Sequence, residues 1–277
     1  MGLSEIEKFP CQVLAHRYPT VRNYGDMTKY KEWEINEPID ILVGGTPCQS
    51  FSVAGLRKGL EDPRGNLMLT YLGIADRLRP RWLVWENVPG VLSSNGGRDF
   101  GTFLGALVEL GYGFAYRVLD AQWFGVAQRR RRVFVVGCLG DAGSAAKVLF
   151  ESESVCRNPA PSREKGGARE SIANAPITGA VSSKCAKGTG GPSGDECYNL
   201  VNQVNAKIKE GHLVRRLTPI ECERLQGFPD GWTDIKTGGK PTPDGPRYKA
   251  IGNSMAVPVM RWIGERIHAS EAALDSL

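Results

Sequence analysis

Between Glu5 and Tyr18 the apolar residues Phe9, Val13, Leu14 and Tyr18 recur at helical spacing, which predicts a short helix with Pro10 in its first turn. Residues 24–28 (YGDMT) read as a strand end and a turn. Ile39, Ile41, Leu42 and Val43 then form a short apolar run, the pattern of a strand buried in a parallel sheet. Gly44 and Gly45 follow it and predict a sharp turn with close backbone approach to a ligand. A polar, glycine-bearing loop over Gly55–Gly65 leads into a predicted helix at Leu67 to Leu78. The next strand is Trp82 to Trp85, ending at Glu86–Asn87–Val88–Pro89–Gly90, and a helix over Phe100 to Leu110 is closed by Gly111. Two further strands are predicted, Phe114 to Leu119 and Arg132 to Val136. Strands alternating with helices in this way predict an α/β fold on a doubly wound sheet.

The pattern lapses at about Glu151. Residues 151–212 hold few large apolar side chains and are rich in Gly, Ser, Ala, Asn and Lys, with KGTGGPSGD at 187–195 the clearest loop. Such a stretch is a small variable module or a partly disordered segment. Order resumes at Thr218–Pro219–Ile220–Glu221, where an N-cap threonine, a proline at the first helical position and a glutamate three residues on predict a firm helix start. That helix should end near Gly227, and a last helix should run to about Leu274.

Composition narrows the class. A chain of 277 residues fits one large domain, or a domain with a smaller companion, and 41% hydrophobic with 23% charged residues is ordinary for a soluble protein. No apolar run approaches the roughly 20 residues that span a bilayer, so no membrane partner and a cytoplasmic location are expected. The seven cysteines (11, 48, 138, 156, 185, 197 and 222) are scattered and contain no CxxC pair, which argues against a disulfide framework and against a metal site. A net charge of +5 permits a polyanionic partner.

Candidate chemistry gathers at the strand ends. In open α/β sheets ligands bind outside the carboxyl ends of the strands, where Cys48 and Glu86 would project. A thiol there is a candidate nucleophile when a neighbouring cation favours its thiolate; a buried structural cysteine is the alternative. For Glu86 the alternative is a solvated loop carboxylate. Residues 129–132 are four consecutive arginines leading into an apolar strand. Alternation along an extended segment would set Arg130 and Arg132 on one face, with Arg129 and Arg131 turned toward solvent or phosphate.

Five strings then occur in a fixed order: Gly45-x-Pro47-Cys48-Gln49-Ser50-Phe51-Ser52, Glu86-Asn87-Val88, Gln128-x-Arg130-x-Arg132, Arg224-Leu225-Gln226-Gly227-Phe228-Pro229 and Gly252-Asn253-Ser254. The set resembles the motif series of the cytosine-5 DNA methyltransferases. The resemblance implies a Rossmann-like, S-adenosylmethionine-dependent methyltransferase sheet with a small inserted target-recognition domain. The catalytic domain would comprise residues 1–150 and 250–277, and the recognition domain 151–249. Cys48 would be the thiolate that adds to carbon 6 of cytosine, with Pro47 fixing its backbone beside the cofactor. Glu86 would contact N3 and the 4-amino group and protonate N3, and Arg130 and Arg132 would bind the base and orient Glu86.

For S-adenosylmethionine the resemblance implies contacts from Glu5, Ile6, Asp26, Met27, Asn253 and Ser254; capping is the alternative role for the two acids. Double-stranded DNA would meet Gln49, Ser52, Arg129, Lys184 and Lys187, and the target cytosine would have to be flipped from the duplex. A monomer is expected, with a cognate restriction enzyme as a candidate partner. The family also begins with a strand and a Phe-x-Gly-x-Gly loop, whereas Met1–Ser4 aligns with the end of the second strand. The strand ending near Cys48 is therefore expected to have an unpaired edge, and the chain to bind cofactor weakly. Two other readings stand beside the enzyme. One is a degenerate relative that only binds DNA. The other is a cysteine hydrolase, which would need His16, His212 or His268 as its base. A branch of the family modifies transfer RNA; the long insert before RLQGFP favours DNA.

Overall fold

Trp82–Asn87 (WLVWEN) is the central strand of the main sheet. The computed structural model describes residues 1–46, 67–150, 216–237 and 239–274. The chain divides into two compact units, one of Met1–Leu119, Arg131–Ser152 and Trp262–Leu277, the other of Asp120–Arg130 and Glu153–Arg261.

In the first unit, β1 (Gly2–Leu3) and β2 (Arg22–Asn23) form a short parallel pair joined by α1 (Lys8–Arg17). A four-stranded sheet follows, built from β3 (Ile41–Gly45), β4 (Trp82–Asn87), β5 (Tyr112–Asp120) and β6 (Arg131–Leu139) in the order β3-β4-β6-β5. β3 runs parallel to β4, and β6 runs antiparallel to it, so the sheet is mixed. Trp82, Leu83, Val84 and Trp85 are all buried, as a central strand covered on both faces requires. The helices α2 (Leu67–Leu78) and α3 (Arg98–Glu109) supply Met68, Leu72, Phe103 and Leu107 to a core that Leu83, Trp85, Val133 and Val135 complete from the sheet. Trp85 and Phe103 lie 4.3 Å apart between ring centroids at its centre.

Two expectations are corrected by β3. It is an edge strand of the four-stranded sheet, and Ile41 and Val43 are 39% and 44% exposed while Leu42 packs on the core. Only one of its faces is covered among the described residues, so the apolar run is not buried on both sides. Nor does the chain turn at Gly44–Gly45: the strand continues through Gly45. Glycine is needed at 44 for a different reason, since a Cβ there would stand 3.0 Å from the Tyr71 ring.

One helix lies outside the elements that the sequence pattern predicts. α4 (Ala142–Leu149) follows β6, started by Asp141, whose carboxylate accepts a hydrogen bond from the Ser144 N–H at 3.0 Å and is held below the usual carboxylate range by that serine. Its end is met by Arg266, which donates to the Val148 carbonyl at 2.5 Å and the Phe150 carbonyl at 2.7 Å. Arg266 lies in α7 (Val257–Leu274), whose Glu271 accepts from the Trp82 indole at 2.5 Å and pairs with Arg81 at 2.8 Å.

The described part of the second unit contains α5 (Pro219–Gln226), a small hairpin of β7 (Lys236–Thr237) and β8 (Lys240–Pro241), and α6 (Asp244–Asn253). The start of α5 is as predicted: the Thr218 hydroxyl accepts from the Glu221 N–H, and the Glu221 carboxylate accepts from the Thr218 N–H at 2.7 Å. It ends at Gly227, whose φ of +81° is left-handed and where a Cβ would stand 2.5 Å from Pro258. Glu223, fully buried, accepts from the N–H groups of Gly231 and Thr233 and from Arg247 at 3.3 Å, so one carboxylate ties the turn after RLQGFP to two helices. Glu223→Ala would strand Arg247 and two backbone donors. A loss of about 3–5 kcal/mol in the unfolding of this unit is expected from urea titration; a loss below ~1 kcal/mol would show the cluster to be dispensable.

Candidate active site

Glu86 lies near the carboxyl end of β4, level with Gly45 at the end of β3, its direct partner in the parallel register. Across the other edge, Glu86 faces Phe134 of β6. Arg132 stands two residues from Phe134, the diagonal position on the same face. The pairing is realised: Arg132 Nε lies 3.2 Å from Glu86 Oε1, with the two side chains only 18% and 13% exposed. A half-buried ion pair of this kind fixes the carboxylate in position and places a guanidinium, which cannot be deprotonated, beside it.

The residues flanking Glu86 hold the end of β3. The Trp85 indole donates to the Thr46 hydroxyl at 3.1 Å, and the Asn87 amide donates to the Thr46 carbonyl at 2.8 Å. Asn87 also accepts from the Val88 N–H at 2.8 Å, so its amide plane is set from both ends. The chain therefore leaves β3 along a fixed direction beside Glu86. Pro47, Cys48, Gln49 and Ser52 come next, and they lie outside the described residues, as do Lys184 and Lys187. Only its position one residue beyond the strand marks Thr46 in the sequence.

Burial along Gln128–Arg132 alternates. Gln128 and Arg130 are buried and Arg132 is half-buried, whereas Arg129 and Arg131 are exposed. Arg130 belongs to the second unit, where its guanidinium donates to the carbonyls of Ser254 at 2.9 Å and Gly252 at 3.4 Å. The Gln226 amide donates to Ile251 at 2.9 Å and Ser254 at 3.3 Å, and Gln128 donates to Leu225 at 2.7 Å and to the Gln226 side chain at 3.1 Å. Buried donors thus draw the carbonyls of the Gly252–Asn253–Ser254 turn inward, leaving Asn253 exposed. Gln226 and Gln128 act here as a clamp. Three of the five sequence strings meet in it, but their spacing alone does not assign the two glutamines a task.

Back in the first unit, two carboxylates follow the ends of the parallel pair. Glu5 Oε1 accepts from the N–H groups of Ile6 at 2.8 Å and Glu7 at 2.7 Å. Asp26 Oδ1 accepts from the Thr28 N–H at 2.9 Å and the Thr28 hydroxyl at 2.8 Å, and these bonds hold its acid below the usual range. Asp26 caps the short 3-10 turn Met27–Glu32, the alternative role expected for it, whereas Glu5 holds the two N–H groups ahead of α1 and is not its N-cap, which is Glu7. Each uses a single oxygen for this, so the second is available to a ligand hydroxyl or amine. Ile6 is 71% exposed beside Glu5, an apolar surface suited to a ring face, whereas Met27 packs on the core. Paired acceptors and an exposed aliphatic chain at adjacent strand ends fit a ribose and an adenine. Among the described residues no group of three or more His, Cys, Asp or Glu could hold a metal, and no helix is long and apolar enough to cross a membrane.

Comparison with known proteins agrees with this picture. The family model for C-5 cytosine-specific DNA methylases matches residues 1–165 and 153–269. A protein of Escherichia phage P1 named DNA N-6-adenine-methyltransferase is 36% identical over 95% of this chain, which spans 57% of that relative's length. Type II methyltransferase M2.BsuMI of Bacillus subtilis is 29% identical over 98% of the chain and 70% of its own length. Type II methyltransferase M1.ScrFI of Lactococcus lactis subsp. cremoris is 31% identical over 95% and 70%. Among solved structures, the S. pombe Dnmt2 methyltransferase superposes with a TM-score of 0.65 at 18% identity, covering 95% of this chain and 89% of that one. The Entamoeba histolytica methyltransferase EhMeth does so with a TM-score of 0.61 at 15% identity, covering 96% and 89%. At such identities the likeness is one of fold.

Proposed function

This chain belongs to the C-5 cytosine-specific DNA methylase family, whose members use S-adenosylmethionine, and on that premise we propose that it methylates carbon 5 of a flipped cytosine in double-stranded DNA. The observation that carries the reading is the Glu86–Arg132 pair at 3.2 Å, set level with the end of β3. Cys48 follows Gly45 by three residues, so covalent reach keeps it within about 10 Å of Glu86's register partner.

The chemistry assigned to these residues is as follows. The Cys48 thiolate, favoured by the Arg132 guanidinium, adds to carbon 6 of the cytosine. The electron pair of the carbon 5–carbon 6 double bond shifts to carbon 4–carbon 5 and that of the carbon 4–N3 double bond moves onto N3, which takes a proton from the Glu86 carboxyl group, leaving an enamine nucleophilic at carbon 5. S-adenosylmethionine supplies an electrophilic methyl group on a sulfonium, held by Glu5, Ile6 and Asp26. Once carbon 5 carries the methyl group, loss of its proton to a base expels the Cys48 thiolate and restores the double bond, and N3 returns its proton to Glu86. Arg132 holds the carboxyl group against the base throughout.

Residues 151–249 are assigned to target recognition, with Lys184 and Lys187 on phosphates. Two relatives are named as type II methyltransferases, which supports a cognate restriction enzyme as partner and a cytoplasmic site of action. The test is product identity. The chain and methyl-labelled cofactor are incubated with duplex DNA and, in a parallel reaction, with transfer RNA, and each nucleic acid is hydrolysed to nucleosides for mass spectrometry. Labelled 5-methyl-2′-deoxycytidine is expected. Label in N6-methyl-2′-deoxyadenosine, the reaction named for the phage P1 relative, or in transfer RNA alone, would contradict the proposal.

A further inference from the structure

We propose that the loop Asp120–Arg130 is a DNA-contacting element in which Trp123 lies against a nucleotide and Arg129 against a neighbouring phosphate. The inference rests on the DNA reading above and deepens it. Exposure along this loop alternates: Trp123, Gly125, Ala127 and Arg129 are exposed, and the residues between them are buried or half-buried. The exposed residues of the loop are therefore an aromatic, two small residues and a cation.

The loop does not display Trp123 by being loose. Its neck is closed by the Ala121 N–H donating to the Arg130 carbonyl at 3.1 Å. The Asp120 carboxylate accepts from the Arg130 N–H at 2.9 Å and from the Gln122 side chain at 2.7 Å. Ala121 is buried, and Gly125 reverses the chain with a φ of +88°. Asp120, the loop's only acid, is thus turned to the neck, and the outward charge is positive. A Trp side chain 59% exposed on such a frame is unusual for a folded surface, where large aromatics are mostly covered. Neither Trp123 nor Arg129 makes a hydrogen bond, ion pair or ring contact with another described residue. An aromatic face for a base or sugar with a cation for the backbone is the recognition chemistry of a nucleic-acid strand. The same loop delivers Gln128 and Arg130 inward to the clamp on the Asn253 turn, so its outer face has a fixed orientation in its own unit.

Fluorescence anisotropy of a labelled duplex with the full chain, across a salt series, tests this. Trp123→Ala is expected to weaken binding on the order of tenfold, and Trp123→Phe to recover most of that loss. Arg129→Ala should weaken binding and reduce the log–log salt slope by about one. Circular dichroism should be unchanged, because both side chains are exposed. With wild-type protein, irradiation of DNA containing 5-iodouracil should yield an adduct on Trp123, a readout independent of any variant's folding. Wild-type binding by both alanine variants, or adducts on other residues only, would overturn the assignment while leaving the methyltransferase reading intact. A wild-type chain that fails to bind duplex DNA would overturn both.

Discussion

Glu86→Gln is expected to slow methyl transfer by on the order of 10²–10⁴-fold in single-turnover conditions, with DNA binding retained. Glutamine keeps the shape of the side chain and a hydrogen-bonding carbonyl, but it has no acidic proton to give to N3. It also removes the ionic part of the 3.2 Å contact with Arg132. Single-turnover measurement separates the chemical step from cofactor and product exchange. Arg132→Lys should fall between wild type and Glu86→Gln, because an ammonium keeps the charge but loses the planar fork that fixes the carboxylate. A Glu86→Gln rate within about threefold of wild type would mean that this carboxyl group does not move a proton in the limiting step.

Cys48→Ser should be the more severe change, reducing methyl transfer to the background of the assay, a loss on the order of 10⁴-fold or more. A serine hydroxyl at this position has no base nearby in the assigned arrangement. A guanidinium that stabilises a thiolate does far less for an alkoxide, whose conjugate acid is much weaker. The variant should still bind duplex DNA and cofactor, since neither role is assigned to the sulfur. Methylation of cytosine by Cys48→Ser at a rate approaching wild type would remove the nucleophile from the account.

The frame of the site could be read from residue order because strand ends in α/β sheets are marked by abrupt changes from apolar to polar side chains. WLVWEN announces β4 and puts Glu86 at its end, and RVFVV announces β6 directly after the arginines. What could not be read was pairing. The 3.2 Å contact depends on β6 running antiparallel to β4 with Glu86 opposite Phe134, and no local pattern sets a register across forty-odd residues. The exposed face of β3 was likewise hidden, since an apolar run of four looks the same whether one or both of its faces are covered. The α4 helix is hard to read because it has only eight residues and its buried face of Ser144, Ala145, Val148 and Leu149 carries just two large apolar side chains, although Asp141 is a usable N-cap signal. Capping at Thr218 and termination at Gly227 were legible because those signals are local. The clamp of Gln128, Arg130 and Gln226 was not, because its members come from two segments far apart in the chain and act on a third.

The most direct test of the whole account is covalent trapping. A duplex containing 5-fluorocytosine, incubated with the chain and S-adenosylmethionine, should give a protein–DNA adduct stable to denaturation, because fluorine at carbon 5 cannot leave as a proton does and the thiolate is not expelled. Proteolysis and mass spectrometry should place that adduct on Cys48, and Cys48→Ala should abolish it. An adduct on another residue, or methylation of ordinary cytosine by a chain that never forms one, would contradict the account.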